Sequence, residues 1–180
     1  MTSFTLTAAG PSDTDAIARG VAGVLRVGDL VGLTGELGAG KTHFVRGLAA
    51  GLGLDPRQVS SPTFILLHEY TSPAATHPAT SPNQPSAISP QPSSPVLMHL
   101  DVYRLAVADE LETLGWGESG EELREAAVVA VEWADRVREA MGGDWLEVAL
   151  EHAEDGGRVV TFLPHGAWGE RMGELRAAVG

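Results

Sequence analysis

The chain opens on a short strand pattern over Phe4–Ala8. "PSDTDAIARGVAGVL" follows, where capping residues precede apolar positions Ile17, Val21, Val24 and Leu25 at helical spacing. An apolar run from Leu30 to Thr34 predicts a second strand. After a glycine-spaced turn, Phe44, Leu48 and Leu52 fall on one face of a second helix, with Gly51 and Gly53 as stop signals. The order is strand, loop, helix.

Three more apolar runs, "TFILLHEY" (63–70), "VLMHLDVY" (96–103) and "VVAVEW" (128–133), are rich in β-branched or aromatic residues and read as buried parallel strands. An acidic, helix-prone stretch, "VADELETLGWGESGEELREA", joins the last two, and "ADRVREAMGG" predicts a short helix closed by glycines. "DWLEVALEH" and "RVVTFLP" alternate around "AEDGG" and predict a hairpin.

One segment breaks this regularity. Residues 71–95 consist almost wholly of Pro, Ser, Thr, Ala and a few other polar residues, too little apolar area to order themselves. Strands of one sheet are expected on both sides of it, so it reads as a flexible insertion within a single domain spanning 1–180.

Composition narrows the function. With 12 basic against 24 acidic side chains, the formal net charge of -12 repels a phosphate backbone and disfavours unaided nucleic-acid binding. The absence of cysteine removes disulfides and thiolate zinc sites. The N-terminus lacks the basic and long apolar regions of a signal peptide, and no stretch reaches membrane-spanning length, so a cytoplasmic protein is expected.

The chemistry concentrates after Leu30. Gly35, Gly40, Lys41 and Thr42 fit GxxxxGK[ST], the phosphate-binding loop, placed after a strand and opening a helix. Glu36, Leu37, Gly38, Ala39, Gly40, Lys41, Thr42 and His43 would wrap an oligophosphate with backbone N–H groups; Lys41 would reach the outer phosphates and the Thr42 hydroxyl would ligate magnesium. Lys41 is the only lysine beside eleven arginines, a compact point charge where one is wanted between phosphates.

Such a loop needs a strand-end carboxylate to hold magnesium or its waters, and Asp101 and Glu132 both qualify at the carboxyl edge of a parallel sheet. The expected architecture is therefore α/β, a P-loop NTPase-like three-layer fold with a largely parallel central sheet and a C-terminal antiparallel hairpin. "SSPTF" (60–64) offers hydroxyls beside a rigid proline, either as a γ-phosphate-sensing loop or as an ordinary turn.

At this point "GELGAGKTHFVRGL", "SPTFILLHEY", "HLDVYRL" and "VEWADR" resemble, in order and approximate spacing, the TsaE (YjeE) family of small bacterial ATPases required for N6-threonylcarbamoyladenosine modification of tRNA. The resemblance covers most of Leu30 to Arg136. It implies ATP in the cradle, Thr42 and Glu132 as magnesium ligands, Asp101 orienting water or metal, and a switch segment in which Thr63 joins Lys41 and Asp101 in catalysis. It also implies a place near the nucleotide for Thr14. Tyr103, Arg104 and Trp133 match without an assigned role.

The chain departs from the family pattern at His43, where Thr or Ser is common, at Asp135, where Glu is usual, and in the proline-rich insertion. The resemblance further implies TsaB and TsaD as partners, with tRNA reached only through that assembly and ATP hydrolysis resetting it between cycles. A P-loop small-molecule kinase and a nucleotide-binding adaptor without hydrolysis remain alternatives. A guanine-reading [NT]KxD motif is excluded by the single lysine.

Overall fold

The computed structural model describes residues 2–61, 67–71, 95–105, 111, 116–117 and 120–180. Residues 72–94 of the expected 71–95 insertion, residues 62–66 with Thr63, and much of the acidic stretch after Leu105 lie outside the described residues, while Thr71 and Pro95 at the insertion's two ends pair as strand residues.

Seven strands form one sheet: β1 (Phe4–Ala8), β2 (Leu30–Thr34), β3 (Leu67–Thr71), β4 (Pro95–Asp101), β5 (Val128–Glu132), β6 (Trp145–His152) and β7 (Arg158–His165), in the order β1-β7-β6-β2-β5-β4-β3. The four central strands run parallel through the pairs β6–β2, β2–β5 and β5–β4. The predicted hairpin is the antiparallel β6–β7 pair, and β1 adds antiparallel to β7. Both faces of the centre are covered, as buried β2 and β5 require.

Helices α1 (Pro11–Ala22), α2 (Lys41–Gly51) and α4 (Trp168–Val179) cover one face. There Ile17, Val21, Phe44, Leu48, Trp168 and Leu175 pack with Val31, Leu33, Leu146 and Val148. The other face is closed by Leu105, Leu111, Trp116, Val137 and Met141 over Leu30, Leu100, Val129 and Val131. The third layer is mostly irregular. It contains the four-residue α3 (Glu121–Arg124) and a 3-10 segment (Ala134–Met141) that breaks helical geometry at Val137.

Small residues set the distance between α1 and α2. A Cβ at Gly47 would meet Ala18 Cβ at 2.5 Å, and one at Gly51 would meet Ala22 Cβ at 2.5 Å. Gly51 thus permits close helix contact as well as ending α2. That contact carries the start of α1 beside the glycine turn.

Two sequence expectations change. The strand in "TFILLHEY" is antiparallel to β4 and forms the sheet edge, with only Tyr70 buried among its five described residues. An apolar run reports burial, whereas direction follows the connection. The C-terminal residues form α4, which the sequence reading left unassigned although Trp168, Met172 and Leu175 recur at helical spacing and are buried.

Candidate functional site

The site grows from the turn between β2 and α2. Gly35, Gly38 and Gly40 take positive φ values of 131°, 83° and 108°, so the chain coils into a left-handed turn before entering α2. At Gly35 a side chain would also run into the Leu150 carbonyl. The turn leaves the first N–H groups of α2 directed at one space, a site prepared for anions.

Lys41 is the first residue of α2 and is 4% exposed. Its Nζ donates to the carbonyls of Gly35 at 2.7 Å and Glu36 at 2.8 Å, and lies 3.4 Å from the centre of the Trp133 ring. Burial holds its pKa below the ordinary lysine value, opposed by the charges of Glu132, Asp135 and Asp101. Trp133 has a left-handed backbone, φ 64°, the sole positive-φ non-glycine among the described residues. Such a conformation costs about 1–3 kcal/mol and persists where its surroundings impose it.

The two strand-end acids converge. Register pairs Asp101 with Glu132, and their buried side chains reach the start of α2. The Thr42 hydroxyl donates to Glu132 Oε2 at 3.0 Å. Asp101 Oδ2 accepts from Ser61 Oγ at 2.8 Å, and Oδ1 accepts from the Tyr103 amide at 3.0 Å. Lys41, Thr42, Ser61, Asp101, Glu132 and Trp133 line one cleft of about 390 Å³.

A second cleft, about 310 Å³, opens on the other side of the loop and shares Gly38, Gly40 and His43 with the first. Thr14, Gly10, Pro11 and Arg158 also line it. Thr14 donates to the Gly10 carbonyl at 3.3 Å, and His43 Nε2 contacts the Pro11 carbonyl at 3.0 Å, joining α2 to the start of α1. Arg158 donates from Nε to Ala39 O at 2.9 Å and from Nη2 to Gly38 O at 3.3 Å, fastening the β6–β7 hairpin to the loop.

The donor set suits magnesium: a hydroxyl and carboxylate oxygens, with no thiol. Among the described residues no group of three His, Asp or Glu side chains forms a cage of its own. Thr42 and Glu132 would supply the protein ligands beside phosphate and water oxygens.

Comparison with known proteins gives this arrangement a lineage. The family model described as threonylcarbamoyl adenosine biosynthesis protein TsaE matches residues 8–160. The chain belongs to the TsaE family. It is similar to the tRNA threonylcarbamoyladenosine biosynthesis protein TsaE of Bacillus subtilis, 36% identical over 156 residues covering 87% of this chain and 82% of that protein. The corresponding TsaE of Streptomyces coelicolor is 37% identical over 138 residues, 76% of this chain and 78% of that one. The crystal structure of YdiB from Bacillus subtilis matches with a TM-score of 0.68 at 28% identity, covering 99% of this chain and 94% of that one.

In this TsaE-family chain Leu37, Gly38, Gly40, Lys41, Thr42 and His43 line the first cleft with Asp101 and Glu132, Ala39 and Thr14 line the second, and Glu36 lines neither but a third depression beside Leu150. Thr63 lies outside the described residues, while its neighbour Ser61 reaches Asp101. Arg158 and His99 were not singled out from sequence. Arg158 stands 119 residues from its partner Ala39 and carries no local signal. For His99 a signal existed: it precedes Asp101 by two on a strand and therefore shares its face.

Proposed function

We propose that this protein is a magnesium-dependent ATPase of the threonylcarbamoyladenosine modification of tRNA, acting in the cytoplasm with TsaB and TsaD. The observation that carries the ATPase reading is the meeting of Thr42 and Glu132 at 3.0 Å beside the buried Lys41. The tRNA role is supported by family membership and by the names of the relatives.

The loop amides and Lys41 would bind and orient the phosphates, and the cleft lined by Thr14 and Arg158 would take the nucleoside end. Magnesium, when bound, neutralises charge on the phosphates and fixes their geometry. Asp101 would orient the attacking water, with its carboxylate fixed by Ser61 and the Tyr103 amide. Thr63, two residues beyond Ser61, would report the γ-phosphate from the loop that Ser61 ties to Asp101.

A net charge of -12 supports reaching tRNA through partners and not by direct contact. Hydrolysis would then change the partner assembly's state, because a loop that orders on ATP can be bound more tightly in one of its forms. ATP turnover by the purified chain, with and without TsaB, TsaD and tRNA, tests this. Slow turnover alone and clear stimulation by the assembly are expected. Fast, partner-independent turnover would return the kinase or independent hydrolase reading, and no turnover under any condition would leave a binding adaptor.

A further inference from the structure

A strand-end glutamate has three rotatable bonds, so β5 alone does not aim the Glu132 carboxylate. Thr42 fixes one oxygen, and the other belongs to His99, whose Nε2 lies 2.8 Å from Glu132 Oε1. The β4–β5 register pairs Asp101 with Glu132 and His99 with Ala130, which places the imidazole one step diagonally behind the carboxylate. An ionised carboxylate only accepts, so Nε2 carries the proton and donates.

The ring is fully buried, and its Nδ1 has no hydrogen-bond partner among the described residues. Among the described residues its single hydrogen bond is with Glu132. An apolar side chain would fill this space without burying an orphan nitrogen, so packing alone does not account for a histidine here. Tyr70 stacks against the ring, with centroids 6.5 Å apart and planes inclined by 30°. The Tyr70 hydroxyl in turn lies 3.2 Å from His68 Nδ1, two residues back on β3. The imidazole is therefore held on one side and spent on the other.

We propose that His99 is the positioning residue for Glu132: its Nε2–H fixes one carboxylate oxygen so that the group stays aimed at the metal position beside Thr42. This rests on Glu132 as a magnesium ligand, the reading given under Proposed function. An outer hydrogen bond of this kind changes metal affinity by about 10- to 100-fold.

Calorimetry with ADP in excess magnesium and with ADP in EDTA measures the affinity gained from the metal. His99→Leu should cut that gain by about 10-fold or more while preserving metal-free ADP binding, and His99→Gln, whose side-chain amide still donates, should restore part of it. Full gain in His99→Leu, or equal loss in both variants, overturns the proposal. Glu132→Gln separates the two readings: an undiminished gain there removes Glu132 as a ligand, whereas loss there with full gain in His99→Leu sinks the His99 role alone. Should His99→Leu fail to fold, nitrogen NMR of the wild-type imidazole decides. An Nε2–H tautomer whose resonance shifts with magnesium-ADP and not with metal-free ADP supports the role, and an Nδ1–H tautomer or no metal-specific shift overturns it.

Discussion

Lys41 lies against the face of Trp133, its ammonium 3.4 Å from the ring centre while also donating to the Gly35 and Glu36 carbonyls. The charge is satisfied by the loop's own backbone and an aromatic face, at a site where desolvation lowers its pKa. Phosphate oxygens would replace these neutral acceptors with charged ones.

Lys41→Ala should therefore weaken ATP binding by roughly 2–5 kcal/mol, the range for truncating one partner of a buried charge pair, or about 30-fold and upward. Titration calorimetry reads this directly. Unchanged affinity would show that the loop amides suffice.

Trp133 gives a second readout of the same contact. Trp116, Trp145 and Trp168 are at most 3% exposed and packed in the two cores, leaving Trp133 as the indole at the cleft. ATP binding should shift tryptophan emission, and Trp133→Phe should abolish the shift while ATP still binds. A persistent shift would place the change elsewhere in the fold.

The two acids should separate in kinetics. Glu132 holds the Thr42 hydroxyl, whereas Asp101 is held by Ser61 and Tyr103, so only Glu132 shares a hydrogen bond with the other candidate metal ligand. Glu132→Ala should weaken magnesium-dependent ATP binding more than Asp101→Asn, which should mainly slow turnover. The reverse ranking would exchange their roles.

Legibility in the sequence followed how local each feature is. The loop, its helix and both strand-end acids could be read because glycine spacing and apolar runs lie within a few residues of one another. The edge position and direction of β3 could not, since Leu67–Thr71 gains its place from pairing with β4. Arg158 was illegible for the same reason. His99 lay within reach, because period-two placement puts it on the face of Asp101, but its orientation toward Glu132 needs the β4–β5 register.

The α4 helix should be indispensable to stability. Burying Trp168, Met172 and Leu175 contributes about 1.5–3 kcal/mol each, a gross sum comparable to a domain's whole margin of about 5–15 kcal/mol. Arg171 adds a bidentate contact to the buried Asp29, at 2.6 and 2.9 Å, and donates to Val24 O at 2.6 Å. Truncation after Gly166 should abolish cooperative unfolding seen by circular dichroism. A truncated chain melting like the whole one would show that the sheet face closes without α4.

Glu147 on β6 predicts the response to acid. It is 5% exposed and receives Arg138 at 2.8 Å on each oxygen, His165 Nε2 at 2.9 Å and the Thr34 hydroxyl at 3.3 Å, joining β2, β7 and the 3-10 segment. Burial works to raise its pKa, but the hydrogen bonds and charges of Arg138 and His165 outweigh that and hold it below the ordinary glutamate value. The unfolded chain therefore binds the proton more readily than the folded one. The stability this carboxylate contributes is present above the unfolded value of about 4.3 and is lost as pH falls through the lower folded value. Glu147→Gln presents an amide to the guanidinium donors and should cost roughly 1–3 kcal/mol at pH 7 by urea denaturation. That difference from wild type should shrink below about pH 4. A gap of constant size from pH 7 to 3 would mean that the side chain's shape, and not its charge, holds the four segments together.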